Sequence, residues 1–103
     1  MKIVGVRVNE SAKVEEIDSG LESMQKYVGG LIEMLPLEGE LVLICNEEGK
    51  LNNLPANRVI IGKNGVVEDV IAGDFFVCSA PYDTDTFESI PDEMIPYVLE
   101  KFA

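Results

Sequence analysis

Apolar residues in this chain occur in short runs, and the spacing within each run predicts secondary structure. Valines occupy every second position from 4 to 8 within Lys2–Val8, which is the pattern of a strand with one buried face. The stretch Lys13–Ile17 follows a polar turn and predicts the return strand of a hairpin. Leu41–Cys45 is apolar at every position, which is typical of a strand buried on both faces.

A helical spacing replaces this alternation between residues 19 and 28. Apolar side chains recur there at positions 21, 24 and 28, and Ser19 and Glu22 have the spacing of a capping box. Gly29 and Gly30 follow, and glycine readily adopts the left-handed conformation that ends a helix. The sequence therefore predicts a helix of about ten residues, which depends on packing for its stability.

The last amphipathic stripe lies within Ser89–Phe102 and contains a proline at position 96. A proline inside a helix removes a hydrogen bond and costs about 3 kcal/mol. We therefore expect this helix either to begin near Glu93 or to kink.

Four further strands are predicted, with Leu31–Leu35 as a candidate and the others at Asn57–Ile61, Val66–Ile71 and Phe75–Ser79. The Asn-Gly pair at 64–65 predicts a tight turn between the strands Asn57–Ile61 and Val66–Ile71.

This order of elements predicts an α+β fold in a single small domain that spans residues 1–103. Most strands are expected to pair with their neighbours in sequence, because the connections between them are short. The prediction is a mixed or mostly antiparallel sheet with both helices on one face.

Composition narrows the possible partners. The formal net charge is −11, from 19 acidic and 8 basic residues, so nucleic-acid backbones and anionic membranes would be repelled. Residues 66–103 hold nine acids and one base, and they carry −8 of this charge. Either this acidic third binds a basic protein, or it serves only to keep the chain in solution.

Two cysteines and the absence of histidine restrict the chemistry further. Cys45 and Cys78 both lie in apolar runs, which indicates buried free thiols. No metal site or other cofactor is predicted, since the chain has neither histidine nor a CxxC motif. The first residues do not form a signal peptide and no apolar run reaches the ~20 residues of a spanning helix, so a reduced cytoplasmic location is expected.

Catalysis is not predicted. Serine and cysteine nucleophiles lack a histidine partner, and the acid pairs at 47–48 and 68–69 are expected to be solvated surface groups. Glu68 and Asp69 are neighbours in a predicted strand, so they point to opposite faces and cannot share a proton.

The segment from 46 to 58 is the better candidate for function, as a binding loop. Asparagine amides are donors and acceptors, Arg58 has a guanidinium fork suited to carboxylate or phosphate, and Gly49 lets a ligand approach the backbone. The predicted ligand-binding residues are Asn46, Gly49, Lys50, Asn53, Asn57 and Arg58. The residues leave open the alternative that these asparagines cap turns and that Arg58 pairs with a nearby acid.

Three segments together resemble a known family. The stretch Asp18–Gly30, the sequence NEEGKLNNLPANR at 46–58 and the sequence DVIAGDFFV at 69–77 are similar to proteins of domain-of-unknown-function family number 3846. The resemblance covers nearly the whole chain, and its most specific part is the segment at 46–58. It implies a small accessory protein of a phage or other mobile element, with no catalytic residues to transfer.

These observations lead to three hypotheses. The first is a non-catalytic counter-defence protein that sequesters a small anionic, nucleotide-like ligand through the loop from Asn46 to Arg58. The second is an acidic inhibitor that mimics nucleic acid and binds a basic host protein in the host cytoplasm. The third is an enzyme that uses carboxylates and a metal ion. A homo-oligomer is also left open, because a free sheet edge would allow two copies to pair.

Overall fold

The computed structural model describes residues 1–103, which form seven strands, two α-helices and one 3-10 turn at Asp92–Met94. The elements in chain order are β1 (Lys2–Val6), β2 (Lys13–Glu16), α1 (Leu21–Val28), β3 (Ile32–Pro36), β4 (Leu41–Asn46), β5 (Ala56–Ile61), β6 (Val67–Ala72), β7 (Phe75–Ser79) and α2 (Ile95–Lys101). This confirms the α+β class.

Five of the strands form one antiparallel sheet in the order β2-β1-β7-β4-β3. Every residue of β4 and of β7 is buried, and the two strands pair in register from Leu41 with Ser79 to Ile44 with Phe76. The continuous apolar runs therefore form the centre of the sheet, as their composition predicted. Strands β5 and β6 form a separate two-stranded hairpin.

The two helices pack on opposite faces of the sheet, so the prediction that both lie on one face is wrong. Met24 and Val28 of α1 pack against one face, in a cluster that includes Phe76. Val98 of α2 packs on the other face, in a cluster that includes Phe75. Adjacent strand residues point to opposite faces, so a sheet whose central strands are apolar at every position needs a cover on each side.

The hairpin shares the α2 side of the sheet. Ile71 is buried in the same cluster as Val98, and Ile60 packs against that cluster. The two cysteines are also divided between the faces, with Cys45 in the α2 cluster and Cys78 in the α1 cluster. Both are buried free thiols, as predicted.

The helix ends differ in detail from the prediction. Gly20, not Ser19, is the N-cap of α1, and no side chain caps this end. Gly29 ends the helix in the left-handed conformation, with φ of 82°, as predicted. Pro96 lies in the first turn of α2, where its missing N–H costs little, so the helix begins at Ile95 without a kink. Neither helix has the length and apolar character needed to cross a membrane.

Candidate functional site

Arg58, the centre of the predicted binding loop, is bonded to the protein itself. Its Nε donates to the carbonyl oxygen of Phe102 at 3.0 Å, and Nη2 donates to the carbonyl oxygen of Glu10. Nη1 donates to the backbone and side-chain oxygens of Asn57 at 3.1 and 2.8 Å. Four of the five guanidinium N–H groups are thus used inside the chain.

Asn57 and Asn46 are also engaged within the fold. Asn57 donates to the carbonyl oxygens of Val6 and Gly73, and its own side-chain oxygen accepts from Arg58. Asn46 is buried and donates to the carbonyl oxygen of Val28 at 3.1 Å, which satisfies a free acceptor at the end of α1. Its side-chain oxygen accepts the backbone N–H of the residue two positions on, which closes the turn after β4.

The other three predicted residues lie near a cleft of about 350 Å³ or in the loop beside it. Gly49 and Lys50 line this cleft, which also contains four carboxylates, from Glu33, Glu47, Glu48 and Asp69. Lys50 pairs with Asp69 at 2.7 Å, and this hydrogen bond raises the pKa of the lysine and lowers that of the carboxyl. Asn53 is exposed and adopts a left-handed conformation with φ of 57°.

The structure therefore does not gather the six predicted residues around one hollow. Asn57 and Arg58 hold segments of the fold together, and Asn46 closes a turn. The cleft beside Gly49 and Lys50 is acidic, because its single lysine is outnumbered and already paired. An anion would be repelled there, so the geometry favours the structural alternative for this loop.

A larger cleft, of about 500 Å³, lies between the turn after β3, the end of the β5–β6 hairpin and α2. We call it the lysine cleft. Its wall contains apolar side chains, two lysines, two carboxylates, an asparagine and a tyrosine, contributed by Pro36, Leu37, Glu38, Ile60, Ile61, Gly62, Lys63, Asn64, Glu68, Tyr97 and Lys101.

The two lysines of this cleft have no carboxylate partner. The side chains of Lys63 and Lys101 form no ion pair and no hydrogen bond, although Lys101 Nζ lies 5.9 Å from the centre of the Phe102 ring. Four of the other basic residues are paired with acids, and Arg58 is held by carbonyl oxygens. The carboxylates of the cleft lie elsewhere. Glu38 accepts a hydrogen bond from the Tyr97 hydroxyl at 2.8 Å, and Glu68 lies over Gly62. The lysine cleft thus contains two lysines without carboxylate partners in an acidic molecule.

Sequence reasoning missed this cleft because its parts are far apart in the chain. Lys63 lies five residues after the end of the predicted loop, and Lys101 is the single base of an otherwise acidic third. No local spacing connects them. The position of α2 beside the tip of the hairpin brings them to one hollow.

The comparison with known families decides where this chain belongs. The family model described as Domain of unknown function (DUF3846) matches residues 1–103. The chain is a member of the DUF3846 family. This confirms the resemblance carried by the segments at 18–30, 46–58 and 69–77. No curated protein and no solved structure matches this DUF3846 chain.

A second polar cluster in the DUF3846 chain lies at the β1–β2 edge of the sheet. Arg7 donates to Glu15 at 2.8 Å and stacks on the ring of Tyr27, whose hydroxyl also donates to Glu15 at 2.7 Å. Burial raises the pKa of the Glu15 carboxyl, but the hydrogen bonds from Arg7 and Tyr27 outweigh it, and the pKa lies below its ordinary value. Glu15 and Tyr27 cover Gly5, where any side chain would overlap them, so this cluster is a packed structural unit.

No three cysteine, aspartate or glutamate side chains converge in a way that would hold a metal ion. Burial raises the pKa of both Cys45 and Cys78 to about 12, so the thiols are protonated at neutral pH.

Proposed function

We propose that this DUF3846 protein is a non-catalytic binding protein that holds a small anionic ligand of nucleotide size in the lysine cleft. The observation that carries the proposal is that two lysines without ion pairs, Lys63 and Lys101, line a cleft of about 500 Å³. The ligand class is the one expected from the sequence, but the proposed site has moved from the loop at 46–58 to the tip of the hairpin.

Size and chemistry support this site. A volume of about 500 Å³ lies within the range of small-molecule sites, which are usually apolar hollows with a few polar groups. Ile60, Ile61 and Leu37 supply the apolar wall, while Tyr97 and Asn64 supply hydrogen-bonding groups. A ligand with one apolar or aromatic part and one phosphate or carboxylate part would contact both the apolar side chains and the polar groups of this cleft.

The two clefts also differ in their balance of formal charges. The lysine cleft contains two lysines and two glutamates, so its formal charges cancel. The cleft beside Gly49 has four carboxylates against one lysine. In a molecule with a net charge of −11, an anion is repelled least where the local charge is neutral and the cations are unpaired.

The proposed biological role follows from the resemblance described above. The resemblance implies an accessory protein of a phage or mobile element, and sequestration of a nucleotide-derived defence signal would need binding without turnover. The protonated thiols and the lack of histidine agree with such a role.

Thermal unfolding with defined anions tests the proposal. The probes are ADP-ribose, cyclic dinucleotides and inorganic pyrophosphate, with uncharged adenosine as the comparison. A bound anion at one hundred times its dissociation constant would stabilise the protein by about 2.7 kcal/mol. The double variant Lys63→Ala/Lys101→Ala should lose this shift.

Lys26→Ala is the matched control, because Lys26 also forms no ion pair but lies on α1, outside the lysine cleft. It should bind as the unaltered protein does. The proposal fails if none of the charged probes shifts the unfolding temperature, or if the double variant retains the shift.

A second candidate is the acidic inhibitor of a basic protein, and one observation favours it. Residues 80–93 contain five acids and no base, and they expose Tyr82 at 81% of its surface. The Tyr82 hydroxyl donates to the carbonyl oxygen of Gly39, and its backbone N–H donates to Glu40. An aromatic side chain held in place among carboxylates is typical of residues that contribute strongly to protein interfaces.

Affinity capture of host proteins at low and high salt tests this second candidate. A basic protein should be retained at low salt, released at high salt and lost with the variant Tyr82→Ala/Asp83→Asn/Asp85→Asn. Retention that is unchanged by this variant would contradict the role of the acidic loop.

A further inference from the structure

The β5–β6 hairpin has an outer face that is apolar and open to solvent. Val59 pairs across the strands with Val70, and Ile61 pairs with Val67. These four side chains retain between 36% and 53% of their exposure, and Val66 in the adjoining turn retains 57%. We call these five residues the hairpin patch.

This face is distinct from the one that packs on the core. Ile60 lies between Val59 and Ile61 and Ile71 follows Val70, and both isoleucines pack against the cluster on the α2 side of the sheet. A register irregularity after Ile60 brings Val67 opposite Ile61, on the outer face. The outward residues of a two-stranded hairpin would ordinarily be polar. The hairpin patch instead holds five of the eleven large apolar side chains that the molecule exposes.

The charge of the hairpin indicates what covers the patch. The segment 56–72 carries two bases and two acids, so its formal charge is zero and the remainder of the chain carries the whole −11. Two copies of so acidic a chain repel each other over most of their surface, but they do not at this hairpin.

We infer that the hairpin patch is the docking surface for a second copy of this chain, placed face to face about a twofold axis. A twofold contact brings the same patch together from both copies, which suits a face made only of valine and isoleucine. A basic protein would gain no charge attraction at this neutral segment, so the second copy fits better than an oppositely charged partner.

The patch also adjoins other exposed apolar surface. Leu51, which is 80% exposed, lines the same cleft as Val70 and extends the apolar area toward the loop after β4. Even so, the hairpin is small beside the roughly 800 Å² per partner of a standard interface. The dimer is therefore weak, and its population depends on protein concentration.

Sedimentation velocity tests this inference on the ligand-free protein, because Ile61 belongs to the hairpin patch and also lines the lysine cleft. The measurement covers protein concentrations from about 1 μM to 1 mM, the range in which a weak dimer forms. The unaltered chain should shift from monomer to dimer across this range, and added salt should favour the dimer because it screens the acidic surfaces. A monomer at every concentration would overturn the inference.

Variants locate the contact. Val59→Glu/Val67→Glu should be monomeric throughout, and the near-isosteric Val59→Thr/Val67→Thr, which spares the fold, should raise the dimer dissociation constant about tenfold or more. Leu21→Glu, an exposed apolar site on the opposite face of the sheet, should dimerise as the unaltered chain does. Dimerisation that survives the threonine pair, or that Leu21→Glu abolishes equally, would overturn the inference.

Discussion

A single guanidinium, that of Arg58, connects three parts of the chain that are distant in sequence. It reaches the turn after β1 through Glu10, the end of α2 through Phe102, and its own strand through Asn57. Carbonyl oxygens at a helix end have no partner within the helix, and a cation there is favourable. Arg58 is thus a structural residue that fastens the helix and the hairpin to the sheet.

Replacement of Arg58 by alanine should lower the free energy of unfolding by about 2–4 kcal/mol, because several charge-assisted hydrogen bonds are lost and their acceptors stay partly buried. Urea denaturation measures this effect. Lys63→Ala is the control, since an exposed lysine without partners should change stability by less than about 0.5 kcal/mol. Equal stability of the two variants would show that Arg58 is not a fastening residue.

The carboxyl of Glu15 makes stability depend on pH. Its pKa is lower in the folded protein than in the unfolded chain, because hydrogen bonds from Arg7 and Tyr27 outweigh the cost of burial. The stabilisation is complete above the ordinary carboxyl pKa of about 4.5 and is lost as the pH falls through the folded value. The variant Glu15→Gln removes it at all pH values.

Urea midpoints of the two proteins should therefore differ most at pH 7 and converge as the pH falls below 4.5 and through the lowered pKa of the folded carboxyl. Glu22→Gln, an exposed carboxyl on α1, should follow the unaltered protein over the whole range. A constant difference between Glu15→Gln and the unaltered protein down to pH 2 would contradict the assignment.

At the scale of the elements, the ends of α1 are set by two glycines that play different parts. Gly29 has φ of 82°, a conformation that costs an L-residue energy, whereas Gly20 is extended with φ of −76° and has free space around it. The helix has only eight residues, so its ends contribute a large share of its stability.

Substitution at these two glycines should therefore have opposite effects. Gly29→Ala should lower the free energy of unfolding by about 1–2 kcal/mol because alanine is strained at positive φ. Gly20→Ser should raise it by a few tenths, since the serine oxygen supplies the missing cap. Chemical denaturation distinguishes the two results, and a stabilising Gly29→Ala would refute the account of the helix end.

Sequence patterns located the elements well where periodicity determines them. The strand Phe75–Ser79 was predicted with its observed ends. The strand predicted at Leu41–Cys45 ends one residue later in the structure, at Asn46. The predicted cap of α1 was one residue early, because Ser19 and Glu22 have capping-box spacing in the sequence but Gly20 is the N-cap and no side chain caps this end. The placement of the helices failed because local patterns show that a strand is buried on both faces but not which helix covers each face.

At the scale of the whole molecule, the candidate site was the part least accessible from sequence. The polar loop at 46–58 carried the strongest local signal, yet its Asn57 and Arg58 bond to residues up to 51 positions away. The lysine cleft gave no local signal, because Lys63 and Lys101 meet only through the packing of α2 beside the hairpin. Long-range packing determines which polar side chains form hydrogen bonds within the protein and which are free to contact a ligand.

The strand order has a consequence for how the chain acquires its structure. Strand β7 lies between β1 and β4, so the middle of the sheet is vacant until residue 79 has been synthesised. During translation β4 is synthesised before β7, and all of its side chains are buried in the folded protein. Such non-local pairing slows folding. An incomplete nascent chain exposes the apolar side chains of β4, which chaperones or other nascent chains can bind.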